Sequence, residues 1–148
     1  MRIVLDTNIL VRRVETSHPM HTTVNEAIIT LLERDYSFCV FMQNVSEFWN
    51  VCTRPIKNNG LGLSISETDK HLSKFEELFQ VLPDNKAVFK YWRTLVVQHL
   101  IVGVKVHDAK IVSAMIAHDI GHLLTFNVSD FKRYSEIETF SPADFIQD

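Results

Sequence analysis

Short, largely apolar runs alternate along the chain with longer stretches in which apolar residues recur every three or four positions. A short apolar run between polar segments is typical of a strand that is buried on both faces of a sheet. These runs predict strands over residues 3–5, 38–42, 80–82, 122–125 and 137–140.

The longer stretches have the spacing of amphipathic helices. In residues 20–34, the apolar side chains of Val24, Ala27, Ile28 and Leu31 fall on one helix face. Equivalent patterns predict further helices over residues 44–53, 84–100 and 109–118, and one more that begins after Ser64 or Ser66 and carries Leu72, Phe75, Leu78 and Phe79 on one side.

Strands that alternate with helices of ten or more residues indicate an α/β fold, with a parallel sheet covered by helices on both faces. A length of 148 residues fits one domain, residues 1–148. Ligands of parallel sheets bind beyond the carboxyl ends of the strands. The residues that follow each predicted strand are therefore the first candidates for function.

Composition supports a folded protein and narrows its class. Hydrophobic residues make up 46% of the chain and charged residues 22%, so a packed core is expected and disorder is not. The formal net charge of −3 argues against a protein that binds nucleic acid by charge alone. It does not exclude an enzyme whose acidic site reaches phosphate through metal ions.

The two cysteines and the lengths of the apolar segments indicate in which cellular compartment the protein is expected. Cys39 and Cys52 form no CxxC pair, and we expect them to be reduced, small apolar residues. No apolar run approaches the roughly 18 residues of a membrane span, and the N-terminal MRIVLDTN lacks the architecture of a signal peptide. A cytoplasmic protein without a membrane partner is predicted.

Four acidic residues follow strands or begin helices, and each has an ordinary structural explanation. Asp6 ends the first strand and could cap the next turn. Glu47 lies three residues after Asn44, as in a capping-box variant. Asp108 precedes a helix, where an N-cap is expected, and Asp130 lies in a loop after a strand. Taken singly, none requires a functional role.

Taken together, the four acids fall at one edge of the predicted sheet. Carboxylates gathered at one site repel one another and require a cation. Asn127 and Thr125 offer further oxygens in the last loop, and a set of hard oxygen ligands suits Mg²⁺ or Mn²⁺. Such a site can activate water and stabilise the charge of a phosphodiester that is displaced in line.

Competing sites lack their signatures. There is no HExxH segment for zinc, and no glycine-rich phosphate loop of the GxGxxG or GxxxxGK[ST] type. A phosphatase with a nucleophilic aspartate resembles DxDxT, whereas the residue two positions after Asp6 is Asn8. These classes are therefore disfavoured.

Basic and aromatic residues near the motifs allow two interpretations. Arg54, Lys57 and Lys105 are candidates for phosphate contacts, although each could be an ordinary surface charge. The aromatic residues at helical spacing are expected in the core or an interface rather than as a stacking platform for bases. They are Phe48, Trp49, Tyr91 and Trp92.

The segments LDTNIL, NVSEFWNV and HDAKIVSAMIAHDIGHLLTFNVSDF, in this order, resemble the PIN-domain ribonucleases and, within them, the VapC-like toxins of toxin–antitoxin pairs. The resemblance extends from Met1 to about Phe140. It implies a three-layer α/β/α fold with a central parallel sheet. It also implies a Mg²⁺- or Mn²⁺-dependent endoribonuclease that forms a homodimer, cleaves RNA and is inhibited by a cognate antitoxin.

The resemblance also assigns residues to the site. The catalytic, metal-binding acids fall on Asp6, Glu47 and Asp108, and the fourth position falls on Asp130 or Asn127. If Asn127 occupies that position, a second metal should bind weakly. The polar residues expected to orient the ligands or water are Thr7, Asn8 and Thr125. The alternatives are a non-catalytic RNA-binding protein of this fold and another Mg²⁺-dependent phosphoester hydrolase.

Overall fold

In the computed structural model, which describes residues 1–146, a five-stranded sheet forms the centre of the chain. All four strand pairs are parallel, and the strand order is β3-β2-β1-β4-β5. The strands are β1 (Arg2–Leu5), β2 (Ser37–Phe41), β3 (Phe79–Leu82), β4 (His122–Leu124) and β5 (Glu138–Phe140). Every predicted strand is present, with ends that differ by one residue.

Helices connect the strands and cover the sheet. They are α1 (Thr7–Val14), α2 (His21–Glu33), α3 (Met42–Thr53), α4 (Ile65–Glu76), α5 (Lys86–Gln98), α6 (Val106–Ala117) and α7 (Val128–Phe131). Short 3₁₀ turns lie at Ile56–Asn58, Gly103–Lys105 and Pro142–Phe145. No helix among residues 1–146 combines the length and the apolar character that a membrane crossing requires.

The sheet separates two apolar cores, which gives the three α/β/α layers. Successive strand residues point to opposite faces, so Ile3 and Leu5 of β1 pack with α1 to α4. Val4 points the other way and packs with α5 and α6. All three side chains are fully buried, which explains why the first strand is uniformly apolar. The predicted α/β/α architecture with a parallel sheet is confirmed.

Helix α1 is absent from the prediction. It spans only two turns, and its buried residues Ile9, Leu10 and Val11 are consecutive, so they show no helical repeat. Asp6 is the N-cap of this helix, because its side chain accepts a hydrogen bond from the backbone N–H of Thr7. The capping role considered for Asp6 is therefore present in the structure.

Two helices begin earlier than predicted. Helix α3 starts at Met42, so Asn44 lies inside its first turn and is not the N-cap, and Glu47 is not part of a capping box. Helix α6 starts at Val106, so Asp108 also lies in the first turn. In both places the chain enters the helix directly from the preceding element, and the side chain of the N-cap residue, Phe41 or Lys105, makes no capping hydrogen bond.

Four smaller expectations can be compared with the structure. Ser64 rather than Ser66 caps α4, in a reciprocal pair with Glu67. Phe79 belongs to strand β3 and not to the preceding helix, although it is buried as predicted. Asp130 lies in the single-turn helix α7 rather than in an open loop. The cysteines are free and buried, as expected.

Candidate functional site

The central strands deliver polar residues to one edge of the sheet. In the order β3-β2-β1-β4-β5 the chain winds to both sides of β1, and such a switch point leaves a crevice at the carboxyl ends of the strands. Asp6 follows β1 directly, and Thr125 follows β4. Helix α3, which carries Glu47, begins immediately after β2. These positions are therefore brought together by the topology.

Asp6 and Thr125 are joined across the β1–β4 boundary. The Thr125 hydroxyl, which is fully buried, donates a hydrogen bond of 2.7 Å to Oδ2 of Asp6. The backbone N–H of Thr7 donates one of 2.8 Å to Oδ1. Both oxygens of the Asp6 carboxylate thus have a fixed donor, and the side chain is held at the floor of the crevice.

Asn8 and Asn127 complete this network around the same hydroxyl. Thr125 Oγ1 accepts hydrogen bonds from Nδ2 of Asn8 at 3.2 Å and from the backbone N–H of Asn127 at 3.1 Å. Oδ1 of Asn8 accepts from the backbone N–H of Phe126 at 3.3 Å. Asn8 therefore ties the start of α1 to the segment after β4.

Asn44 is a structural residue of the site that was not predicted from the sequence. Its fully buried side chain accepts a 2.9 Å hydrogen bond from the backbone N–H of Phe41 at the end of β2. Its Nδ2 also approaches the Thr7 hydroxyl at 3.5 Å. Asn44 thus fixes the entry into α3, one turn before Glu47. The only signal for this role was an asparagine that lies three residues after a buried strand, at the predicted start of a helix.

Burial and mutual repulsion govern the charges of Asp6 and Asp108. Burial raises the pKa of Asp6, which the hydrogen bonds from Thr125 and Thr7 partly oppose, and the charge of Asp130 raises it further. Burial also raises the pKa of Asp108. The Lys105 ammonium lowers this pKa, while the carboxylates of Asp6 and Asp130 raise it. The three acids are therefore electrostatically coupled.

Lys105 is the cation that faces this acidic group. Its Nζ lies 2.9 Å from Oδ1 of Asp130 and 3.9 Å from Oδ2 of Asp108. Within the described part of the chain, no Lys, Arg or His side chain forms an ion pair with Asp6 or Glu47. Asp130 is thus neutralised within the protein, whereas Asp6 and Glu47 are not.

A cleft of about 1090 Å³ opens above this edge of the sheet. Asp6, Glu47, Asp108 and Asn127 all line it, whereas Asp130 and Thr125 do not. The other lining residues are mostly polar and include Thr7, Asn8, Arg12, Glu15, His18, Gln43, Ser46, Arg54, His107 and Lys110. The cleft therefore collects three of the four predicted acids, and the amide at the fourth position faces it.

The three predicted phosphate-binding residues are separated by the structure. Arg54 lines the cleft, Lys57 is exposed in a 3₁₀ turn outside the lining, and Lys105 is engaged by the acids. The turn after α3 packs tightly on Arg54: a Cβ on Gly60 would lie 1.9 Å from the Arg54 carbonyl oxygen. Glycine at this position allows the chain to fold back and hold Arg54 at the cleft.

The aromatic residues are divided between core and surface. Phe48 is fully buried and Trp49 is partly buried. Trp92 is also partly buried and donates from its indole N–H to the Val106 carbonyl at 3.0 Å. Tyr91 is 37% exposed, on a helix that does not line the cleft. None of the four lines the acidic cleft, and of the four only Phe48 belongs to the buried core.

The donor set fits a hard divalent cation in composition. Asp6, Glu47, Asp108 and Asn127 offer only oxygen ligands from carboxylates and one amide, with no thiolate among them. Asp6 is buried and Asp108 is partly buried. The two carboxylates repel each other and have raised pKa values, and a bound cation would reverse this penalty. However, within residues 1–146 no three His, Cys, Asp or Glu side chains lie close enough together to coordinate one metal ion as they stand.

The sequence matches the family described as PIN domain over residues 3–137. No curated protein matches the chain significantly.

Solved structures share the fold over nearly the whole chain. VapBC2 from Rickettsia felis has 21% identity and a TM-score of 0.68, covering 95% of this chain and 98% of that one. VapBC-1 from nontypeable Haemophilus influenzae has 17% identity and a TM-score of 0.68, covering 97% and 99%. VapC20 from Mycobacterium tuberculosis has 13% identity and a TM-score of 0.66, covering 89% and 95%.

Proposed function

The chain belongs to the PIN domain family, and from this premise we propose that it is a divalent-metal-dependent endoribonuclease, the toxin of a toxin–antitoxin pair. The observation that carries the proposal is the convergence of Asp6, Glu47 and Asp108 on one cleft at the carboxyl edge of the sheet. Separate segments of the chain supply these three carboxylates. A purely structural capping role would not require them to share a cleft.

Asp6, Glu47 and Asp108 are the residues that would hold Mg²⁺ or Mn²⁺. Asn127, which lines the cleft, would take the fourth position, with Asp130 behind it as a further acid. A bound divalent cation supplies Lewis acidity, which lowers the pKa of water and stabilises the charge that develops on phosphate. The remaining chemistry belongs to the residues of the chain itself.

The chain orients the ligands and positions the phosphate. The Thr125 hydroxyl and the Thr7 N–H fix the direction of the Asp6 carboxylate, and Asn8 fixes Thr125 in turn. Such supporting hydrogen bonds hold ligand atoms in place and favour the ionised form of the carboxylate, which is the form that binds a metal. Arg54 lies in the cleft, where its guanidinium could bind a phosphate oxygen. These contacts would align the scissile bond of RNA with the carboxylates.

The similar solved structures suggest which substrate and which partner this chain would have. VapC20 is described as a toxin that cleaves the sarcin-ricin loop. The structures from Rickettsia felis and Haemophilus influenzae are of VapBC, and the former is bound to a fragment of promoter DNA. By analogy, this chain would cleave RNA in the cytoplasm and bind a cognate antitoxin. We also expect the homodimer that the resemblance implies.

One observation favours a second candidate function, a non-catalytic RNA-binding protein of the same fold. The carboxylates are not closed into a metal cluster within residues 1–146, and Lys105 already neutralises Asp130. If the cleft never admits a metal, Arg54 and the polar lining would serve binding alone. Cleavage and binding are separable by experiment.

The test is cleavage of total cellular RNA by the full chain, purified free of antitoxin, in Mn²⁺ or Mg²⁺, with mapping of new RNA ends. Asp6→Asn should lower the cleavage rate by at least about 100-fold, and EDTA should abolish cleavage. Asp69→Asn, an exposed acid on α4, is the charge-matched control and should cleave normally. RNA binding without metal-dependent cuts in the wild type would instead establish the second candidate.

A further inference from the structure

Lys105 lies at the edge of the sheet where the proposed metal site is. It forms ion pairs with Asp108, a proposed metal ligand, and with Asp130, the further acid behind Asn127. The pair with Asp130 has direct hydrogen-bond geometry at 2.9 Å, and the pair with Asp108 is longer at 3.9 Å. In the part of the chain that the structure describes, no other cation is paired with any of the four predicted acids. The contact is therefore specific to this lysine.

The backbone around Lys105 is fixed by contacts on both sides. Gly103 opens the 3₁₀ turn with φ of +60°, a left-handed conformation that favours glycine. After the turn, the carbonyl of Val106 accepts from the Trp92 indole at 3.0 Å, and that of His107 accepts from the Gln43 amide at 3.0 Å. These anchors come from two different helices, and they fix the backbone from which the Lys105 side chain reaches the acids.

We propose that Lys105 is a resident counter-cation of the metal site, which a divalent metal must displace from Asp108 and Asp130. This inference rests on the metal site of the proposed function. A carboxylate oxygen that accepts from the ammonium is less available to a metal, and two cations at the same acids repel each other. Displacement would free Asp130 as a further oxygen ligand beside Asn127. Lys105 would thus set the metal concentration at which the site fills.

A matched control separates this role from a general change in charge. Lys110 is unsuitable as that control, because it lines the cleft two residues after Asp108. Lys90 is exposed on α5 and lies outside the lining of the cleft. Within residues 1–146 it forms no ion pair, so Lys90→Met removes the same charge away from the predicted metal ligands.

The experiment is titration of the full chain with Mn²⁺, measuring free Mn²⁺ by electron paramagnetic resonance. Lys105→Met and Lys105→Gln should both tighten Mn²⁺ binding by about two- to five-fold, the range that partly exposed ion pairs supply. Lys105→Arg should bind like the wild type, and Lys90→Met should change the Kd by less than about 1.5-fold. Thermal melting followed by circular dichroism confirms that each variant is folded.

Each outcome decides the inference. Unchanged or weaker Mn²⁺ binding in both Lys105→Met and Lys105→Gln overturns it, as does an equal effect of Lys90→Met. Absence of Mn²⁺ binding in the wild type overturns both the inference and the metal site. If the wild type binds Mn²⁺ and the Lys105 variants bind it more tightly, but no RNA is cut, the inference stands and the nuclease proposal fails.

Discussion

Replacement of Thr125 by valine tests whether its hydroxyl holds the Asp6 carboxylate. Valine keeps the shape of the fully buried side chain and removes only the hydroxyl. The change deletes the 2.7 Å hydrogen bond to Asp6, whose side chain is 9% exposed and so has little access to water as a substitute partner. The donors on Asn8 and Asn127 lie nearer solvent, and water can replace their lost contacts.

The expected loss of stability can be estimated from the hydrogen bond between the Thr125 hydroxyl and the ionised Asp6. A hydrogen bond to an ionised group contributes about 1.5–3 kcal/mol, so Thr125→Val should lower the free energy of unfolding by about 2–3 kcal/mol at pH 7.5. For a domain of this size that corresponds to a fall in Tm of roughly 5–10 °C. Thr125→Ser, which retains the hydroxyl, should lose less stability at the same pH.

The way in which the free energy of unfolding changes with pH distinguishes this explanation from a general loss of packing. Burial raises the pKa of Asp6 in the folded protein above its ordinary value of 3.8, so the folded state holds that proton more tightly than the unfolded chain. The ionised, buried Asp6 therefore lowers stability above the raised pKa. This penalty disappears as the pH falls through the raised pKa towards 3.8. Without the Thr125 hydroxyl, the pKa of Asp6 should rise further and the penalty should grow.

The assay is urea unfolding of metal-free wild type, Thr125→Val and Thr125→Ser at several pH values. The stability difference between wild type and Thr125→Val should be largest at neutral pH and should shrink as Asp6 becomes protonated. In an Asp6→Asn background, the pH dependence of this difference should vanish. A difference that is constant across pH, or close to zero at pH 7.5, would refute the reasoning.

Three further predictions follow from the turn after α3, the entry into that helix and the metal site. Gly60→Ala places a Cβ 1.9 Å from the Arg54 carbonyl oxygen and should lower the free energy of unfolding by about 2 kcal/mol or more. Gly121→Ala, which meets no atom within 4 Å, is the control, and equal melting curves would contradict the packing argument. Asn44→Ala leaves the N–H of Phe41 unpaired and should lower the free energy of unfolding by about 1–3 kcal/mol in urea titrations, whereas an unchanged midpoint would exclude this role. Mg²⁺ at 100 times its Kd should raise the free energy of unfolding by about 2.7 kcal/mol in thermal melts. EDTA should reverse that gain, and a melt that does not respond to Mg²⁺ would argue against a site that binds in the folded state.

The layers of the fold could be predicted from the sequence because buried positions are occupied by apolar residues in a regular pattern. A strand covered on both faces must be apolar throughout, as Ile3–Leu5 is, and a helix that covers a sheet must be apolar on one side. The topological rule for parallel sheets then places Asp6, Glu47 and Asp108 at one edge. The structure brings these three to one cleft, as that reasoning expected. Their metal-binding and catalytic roles stay predictions.

The details of the site depend on contacts that have no local signature. Helices α3 and α6 begin before the polar residues that suggested a cap, because Asn44 accepts from the backbone of Phe41 from inside the first turn and Asp108 also lies inside a first turn. The pairing of Lys105 with Asp130 joins residues 25 positions apart through the end of a flexible side chain. No periodic pattern encodes such a contact. The sequence therefore identified the acids but not the partner of Asp130.

The hydrogen bond between Thr125 and Asp6 also bears on when the protein becomes competent during its synthesis. The two residues are 119 positions apart, and strand β4, which precedes Thr125, pairs with the first strand of the chain. At about 5–20 residues per second, a ribosome needs on the order of 6–24 s to travel between them. Throughout that interval the nascent chain carries its first carboxylate without the residue that orients it. An unfinished chain is thereby kept from acquiring the complete cleft, and any activity of that cleft is deferred until translation is nearly over.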